Sequence, residues 1–185
     1  MTDNFKQVGE RLKGLRDVLD IPAQEVADLC GMTVEHLMKI EAGEADPSIS
    51  DMSKISKKFG ISLDVLLFGE EPRMNSYFLT RKGQGLSVNR NESYIYQSLA
   101  SGYRGRKADI FLTQVDPMPE GQSHSPNSHE GQEFHYVVEG EMQVIVGEKE
   151  MVLHEGDSLY FNASRPHSIN ALGGKPVKFI AVVIN

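Results

Sequence analysis

The sequence predicts two domains of different class in one chain: an all-α domain of five helices, then an all-β domain of short strands closed into a small barrel or sandwich. Three observations predict it. Apolar residues recur with a helical period over about the first 68 residues. A polar, pattern-breaking stretch, "GEEPRMNS", follows at Gly69–Ser76. Beyond it the period shortens to that of strands, punctuated by the turn pairs Glu139-Gly140, Gly147-Glu148 and Glu155-Gly156. The expected layout is a helical domain over 1–69, a linker over 70–76 and a strand domain over 77–185.

Phe5, Val8, Leu12, Leu15 and Leu19 form the inner stripe of the first helix. Pro22 suits the first turn of a second helix, whose apolar cluster is Val26, Ala27, Leu29 and Cys30. Gly31 ends it, and Thr33 is a good N-cap for a third helix with Leu37 and Ile40 inside. "EAGEADPS" reads as a loop. Ser48 and Asp51 have capping-box spacing before the stripe Met52, Ile55 and Phe59; Gly60 closes that helix and Ser62 caps a short last one, "LDVLLF". In the second half, "HYVVEGEMQVIVGEKEMVLHEGDSLYF" alternates strands with turns, and "VKFIAVVIN", apolar on both faces, is expected to be a buried strand.

Composition narrows the function. Of 185 residues, 39% are hydrophobic and 24% charged, the balance of a globular protein. The charged N-terminus "MTDNFKQVGERLKGLRD" lacks the apolar core of a signal peptide, and no apolar run approaches the roughly 20 residues that cross a bilayer. The one cysteine, Cys30, has no internal partner, which fits a reducing cytoplasm. Charge is uneven. Residues 1–71 hold 8 basic and 14 acidic side chains, net −6, whereas 72–185 hold 11 and 12, net −1.

The run "VGERLKGLRDVLDIPAQEVADLCGMTVEHLMKIEAGEADPSISDMSKISKKFGISLDVLL" resembles the five-helix, helix-turn-helix domain of the XRE (lambda-repressor-like) family, with "GERLKGLR", "ADLCGMT", "KIEAGEADPS" and "FGISLDVLL" as its markers. The resemblance implies a recognition helix over about Thr33–Glu41, with Thr33, Val34, Glu35, His36 and Lys39 facing the major groove of double-stranded DNA. The departures are physical. Phosphates call for Lys and Arg, yet this half is acidic, and Pro22-Ala23 stands where a polar contact is usual. A local basic face would need Arg11, Lys13, Arg16, Lys39, Lys54, Lys57 and Lys58 to cluster.

The stretch "GQSHSPNSHEGQEFHYVVEGE" carries histidines and an acid at spacings that suit a metal. It resembles the first motif of the cupin family: Gly121, Asn127, Ser128, His129, Glu133 and Gly140 occupy that frame without insertion. "EGDSLYFNASRPHSI" resembles the second, with Gly156 and His167 in place and Asn162, Ser164 and Ala171 replacing its proline, glycine and asparagine. The implied fold is a double-stranded β-helix, or jelly-roll, barrel. His129 and Glu133, four apart, point to one side of a strand, and His167 arrives from another strand. Two imidazoles and a carboxylate are the facial-triad set for non-haem Fe(II), and the set also suits Zn, Mn, Ni or Co. Asn127 takes the place of a fourth ligand. His135, two beyond Glu133, is also expected to face the interior, either as a ligand-pocket residue or lining the core. Tyr94 and Tyr96 share a strand face, lining either the pocket or the core. His124 and His154 read as exposed loop residues.

Two functional readings follow. One is a regulator that binds operator DNA as a homodimer or higher homo-oligomer and senses a small-molecule effector in the barrel, with no catalytic step. The other is a mononuclear iron enzyme, because the helix-turn-helix–cupin architecture also resembles the hydroxypropylphosphonate epoxidase family. There the triad matches His129, Glu133 and His167, and Tyr94, Tyr96 and Asn127 are similar to pocket positions. Asp20 stands near that family's functional lysine, and an acid there repels a phosphonate.

Overall fold

The computed structural model of the chain describes residues 3–45, 48–91, 94–119 and 122–184, with side chains for all of these except 3–5 and 88–91. The expected packing of Phe5, the motif glycine Gly121 and the loop pair Asp46-Pro47 lie outside the described residues or side chains. The chain divides into two compact units, with the principal boundary between Arg73 and Met74.

The first unit holds five helices: α1 (Asp3–Leu19), α2 (Ala23–Cys30), α3 (Val34–Ala42), α4 (Ile49–Phe59) and α5 (Leu63–Phe68). The expected caps form. The side chains of Thr33, Ser48 and Ser62 accept from the backbone N–H groups of His36, Asp51 and Asp64, each satisfying a donor that the helix start leaves open. Gly31, at φ 70°, turns the chain between α2 and α3, a left-handed position that glycine takes at little cost. Pro22 is the N-cap of α2 rather than a residue of its first turn.

Val8, Leu12, Val26, Ala27, Leu37, Ile40, Met52, Ile55, Leu66 and Leu67 make the core of this unit. Gly9 lets α1 lie close on α3, because a Cβ there would sit 2.2 Å from the Ile40 carbonyl oxygen. The stripe on α1 ends a turn earlier than expected. Leu19 is 47% exposed, where Asp20, at φ 52°, breaks the helix. Burial by the surrounding helices, together with the charge of Asp51, pushes the Cys30 thiol up to about 12. At pH 8 the thiolate is then scarce. Cys30 is expected to react with a disulfide reagent about a thousandfold more slowly in the folded chain than in denaturant, where its pKa is about 8.5. Equal rates would show the thiol to be freely solvated.

The second unit is a two-sheet barrel. The strands after α5 are β1 (Ser87–Asn91), of which Val88–Arg90 group with the first unit, then β2 (Tyr94–Ser98), β3 (Ala108–Val115), β4 (Gln132–Glu139), β5 (Met142–Val146), β6 (Lys149–Leu153), β7 (Ser158–Asn162), β8 (His167–Ala171) and β9 (Val177–Ile184). One sheet has the order β1-β2-β3-β9-β4-β7 and the other β6-β5-β8. Consecutive strands often lie in different sheets, as a jelly-roll requires. Tyr94, Val115, Val137, Met142, Val144, Leu153, Ile169, Val177, Phe179 and Ala181 fill the space between them.

The strand β9 departs from expectation. It lies centrally, between β3 and β4, but only alternate residues are buried. Its other face, with Ile180 and Val182, stays partly exposed beside Leu112 and Ile110 of β3 and Tyr136 and Phe134 of β4. Apolarity on both faces here reflects cross-strand pairing on the outside of the sheet rather than a second buried layer.

Candidate functional site

Three side chains from distant parts of the sequence meet inside the barrel. Glu133 lies on an inward position of β4, His167 opens β8 in the other sheet, and His129 precedes β4. One ligand atom from each, all three residues buried, lies within 4.8 Å of the others, and this is the one such group among the described residues. The expected strand periodicity does not place His129. It sits on irregular chain ahead of Gly131, whose φ is 94°, and its backbone N–H bonds the Ala163 carbonyl at 2.9 Å.

The imidazoles are oriented from behind. Nδ1 of His129 lies 2.9 Å from the Glu130 carbonyl oxygen, and Nδ1 of His167 lies 2.9 Å from that of Arg165. A carbonyl only accepts, so each Nδ1 carries the proton and each Nε2 faces the carboxylate, the orientation found in metal-ligating histidines. His129 Nε2 is 2.6 Å and His167 Nε2 3.7 Å from Glu133 Oε1. Both nitrogens of His129 thus face acceptor oxygens, an arrangement satisfied by an imidazolium or by a cation at Nε2. A divalent metal held by these three side chains would take the place of the His129–Glu133 hydrogen bond. The donor set is compatible with such an ion.

Electrostatics keep the set in ligating form. Burial works to raise the Glu133 carboxyl, but the hydrogen bonds from His129 and His135 outweigh it. The carboxyl is held well below the usual range and stays ionised. Burial lowers the His167 imidazole against the pull of Glu133, so a neutral ring is favoured at neutral pH.

The other residues expected at the site divide. His135 is buried and donates from Nε2 to Glu133 Oε2 at 2.7 Å. Asn127 braces His167 through its backbone, each N–H donating to the other's carbonyl at 2.8 Å. Its side-chain oxygen accepts from the Ser128 N–H at 2.9 Å. Tyr94 is part of the core and its hydroxyl donates to the Ile169 carbonyl at 3.1 Å. Tyr96 stacks on Tyr94 with ring centroids 5.8 Å apart and also packs on Phe111.

Sequence reasoning missed His124. It is half-buried rather than solvated, its ring edge-on to Tyr94 at 4.6 Å and its backbone N–H bonded to Asn170 Oδ1. The contact with Tyr94 joins residues thirty apart, and no local pattern signals it. His154 is exposed as expected.

On the helical unit, α2, the Gly31 turn and α3 have the layout of a helix-turn-helix, and the outer face of α3 is open. Thr33, Glu35, His36 and Lys39 are exposed and Val34 is partly so, while Leu37 and Ile40 face the core. Met38, 58% exposed, belongs to this face and was not expected there. Lys39 Nζ pairs with Glu35 Oε1 at 2.9 Å. The wider basic cluster does not assemble from every expected member. Arg11 donates to the Leu66 and Leu67 carbonyls at 2.8 and 2.7 Å, and Arg16 is bound to Glu41. These two arginines serve the fold.

Comparison with known proteins agrees with both halves. Residues 12–66 match the helix-turn-helix family and residues 115–183 the cupin domain family. The chain is 26% identical over 171 residues to the HTH-type transcriptional regulator PuuR of Escherichia coli (strain K12), covering 92% of this chain and 90% of that protein. It is 39% identical over 61 residues to the SPbeta prophage-derived uncharacterized HTH-type transcriptional regulator YonR of Bacillus subtilis (strain 168), covering 33% of this chain and 56% of that one. Among solved structures, an HTH_3 family transcriptional regulator from Vibrio cholerae superposes with a TM-score of 0.69 at 22% identity, covering 100% of this chain and 98% of the other. The hydroxypropylphosphonic acid epoxidase from S. wedmorenis superposes with a TM-score of 0.54 at 23% identity, covering 100% of both chains. At these identities the two structures share the fold.

Proposed function

We propose that this chain, which joins a helix-turn-helix domain to a cupin domain, is a cytoplasmic transcriptional regulator that binds operator DNA through α3 and senses a small molecule in the barrel. The observation that carries the reading is similarity to a named regulator along nine-tenths of both chains, through both domains together. Thr33, Val34, Glu35, His36 and Lys39 are the DNA-facing residues in this reading. Paired half-sites call for a homodimer or higher homo-oligomer. Control requires the effector to favour one state of the protein over another.

In the barrel, His129, Glu133 and His167 would hold a divalent ion, with Fe, Zn, Mn and Ni all chemically suited. Bound there, the ion would supply a Lewis-acidic point at which an anionic or carbonyl-bearing effector docks. Asn127, in this reading, holds His167 in place through its backbone rather than acting as a fourth ligand. Tyr94 and Tyr96 belong to the packing of the barrel core in this reading rather than acting as donors to the effector.

The experiment is fluorescence anisotropy of the metal-assayed protein against the DNA upstream of its own gene and a scrambled control, across a salt series. Preference for the upstream DNA with a slope of several phosphates supports the regulator; no preference at any salt overturns it. Lys39→Ala is expected to weaken operator binding and to reduce the salt slope by about 0.9, the contribution of one phosphate contact. The exposed pair with Glu35 offers little resistance to that use of Lys39, because surface ion pairs are worth about 0–1 kcal/mol. Unchanged affinity and slope in the variant would place the DNA contact elsewhere.

A second reading is favoured by the triad itself. Two histidines and one carboxylate with free coordination positions are also the set of a mononuclear non-haem Fe(II) oxidase or oxygenase. The regulator relatives favour a non-catalytic protein, and an iron-loaded chain that ignores DNA but consumes oxygen with a substrate would reverse that preference.

A further inference from the structure

We infer that His135, which the cupin ligand pattern does not include, is a positioning residue for the metal site: it anchors one oxygen of Glu133 so that the other is presented to the ion. This rests on the metal-binding reading above and adds to it a role for a side chain outside the ligand set.

The geometry divides Glu133 into two ends. Oε1 faces the ligand histidines, 2.6 Å from His129 Nε2 and 3.7 Å from His167 Nε2. Oε2 is held by His135 Nε2 at 2.7 Å. His135 does not join the group of atoms that lie within 4.8 Å of one another, so it stands behind the carboxylate rather than beside the ion. Its place follows from the strand. Two residues beyond Glu133 on β4, it points to the same interior face, and the short reach between them fits one hydrogen bond.

The ring cannot turn to other work. Phe161 packs edge-on against it with centroids 5.1 Å apart, and Phe179 lies at 4.9 Å on another side. Its Nδ1 is buried and has no hydrogen-bond partner among the described residues. Nε2 is the ring nitrogen that meets an acceptor, so it is the one that donates to Glu133. What remains is orientation. Glu133 with Oε2 tied down offers the ion one oxygen, a monodentate ligand at a fixed angle. Without the tie, the carboxylate is free to rotate towards bidentate binding or back onto His129.

The test uses the full chain and Co(II), whose visible bands report coordination number and ligand arrangement. Wild type, His135→Phe, His135→Leu and His135→Gln are titrated with Co(II) alone and against a competing chelator, with circular dichroism to confirm folding. His135→Phe and His135→Leu keep the apolar packing and remove the donor; both are expected to bind Co(II) about 10–100-fold more weakly, the usual loss for a ligand's hydrogen-bonding partner, with a shifted visible spectrum. His135→Gln, whose amide N–H reaches a carboxylate, is expected to recover most of the affinity and the wild-type bands. If the ring only filled space, the order would invert, with Phe the best substitute and Gln the worst. Wild-type binding with unchanged affinity and spectrum in whichever apolar variant folds would overturn the role of His135 and leave the metal site standing. No Co(II) uptake by wild type would overturn both.

Discussion

Glu133→Ala is expected to abolish stoichiometric metal uptake while the barrel stays folded. The carboxylate is the hub of the site: Oε1 faces His129 and His167 and Oε2 takes the hydrogen bond from His135. It is also the one negative charge among the three candidate ligands. Removing it leaves two imidazoles for a divalent ion, too few for a site built as a triad. His129→Ala is expected to have the same effect on uptake, since it removes the ligand whose Nδ1 is already tied to a carbonyl. The two variants should differ in stability. Glu133→Ala strands the Nε2–H donor of His135 in a buried space, at a cost of about 1–3 kcal/mol for an unsatisfied group. His129→Ala leaves Glu133 still bonded by His135.

Elemental analysis after dialysis against Zn(II) or Fe(II), alongside melting curves with and without metal, checks both parts. A ligand at 100 times its Kd raises stability by about 2.7 kcal/mol, so the wild-type melting temperature should rise with metal and that of Glu133→Ala should not. Full stoichiometric metal in both variants would sink the ligand assignment.

How much of this was legible beforehand varies with the distance over which each interaction acts. The helix caps at Thr33, Ser48 and Ser62 are local. Each involves a residue two or three places away, so the sequence carries the whole interaction. The meeting of His129, Glu133 and His167 was legible because motif spacing encodes it, although His129 reaches the cluster through an irregular segment and a bond to Ala163 rather than along a strand. The role of Tyr94 was not legible. Its spacing with Tyr96 suits a pocket wall and a core equally, and the deciding contact is with the Ile169 carbonyl, 75 residues away. The loss of Arg11 and Arg16 from the expected basic face has the same cause. A count of Lys and Arg cannot tell which of them long-range partners have already engaged, and Arg11 finds its acceptors 55 and 56 residues on. Both domains are nonetheless written in the change of hydrophobic period near residue 70, because that pattern sums over many residues and no single long-range contact decides it.

Arg16→Ala is the second large expected effect, and it separates folding from DNA contact. Counted by charge, Arg16 belongs to the positive surface available to phosphates. In the structure it is a fork on Glu41, Nε to Oε1 at 2.5 Å and Nη2 to Oε2 at 2.9 Å, with Nη1 donating to the Ile21 carbonyl at 3.0 Å. Glu41 is buried at the end of the helix that would enter the groove. Truncating Arg16 leaves that carboxylate buried without its partner, for which the cost is about 3–5 kcal/mol, and near the lower end here because the arginine is not fully buried. For a domain of 60–100 residues each kcal/mol shifts the melting temperature by about 4–8 °C, so a fall of more than about 10 °C in the helical transition is expected. The chain has no tryptophan, so the signal of choice is ellipticity at the helical minimum. The double variant Arg16→Met with Glu41→Leu, which removes both charges and keeps the apolar volume, should recover most of the loss. A phosphate-contacting arginine behaves differently: Arg16→Ala would then melt like wild type and lower the salt slope of DNA binding. That outcome would return Arg16 to the DNA surface and leave Glu41 to be satisfied by something other than this pair.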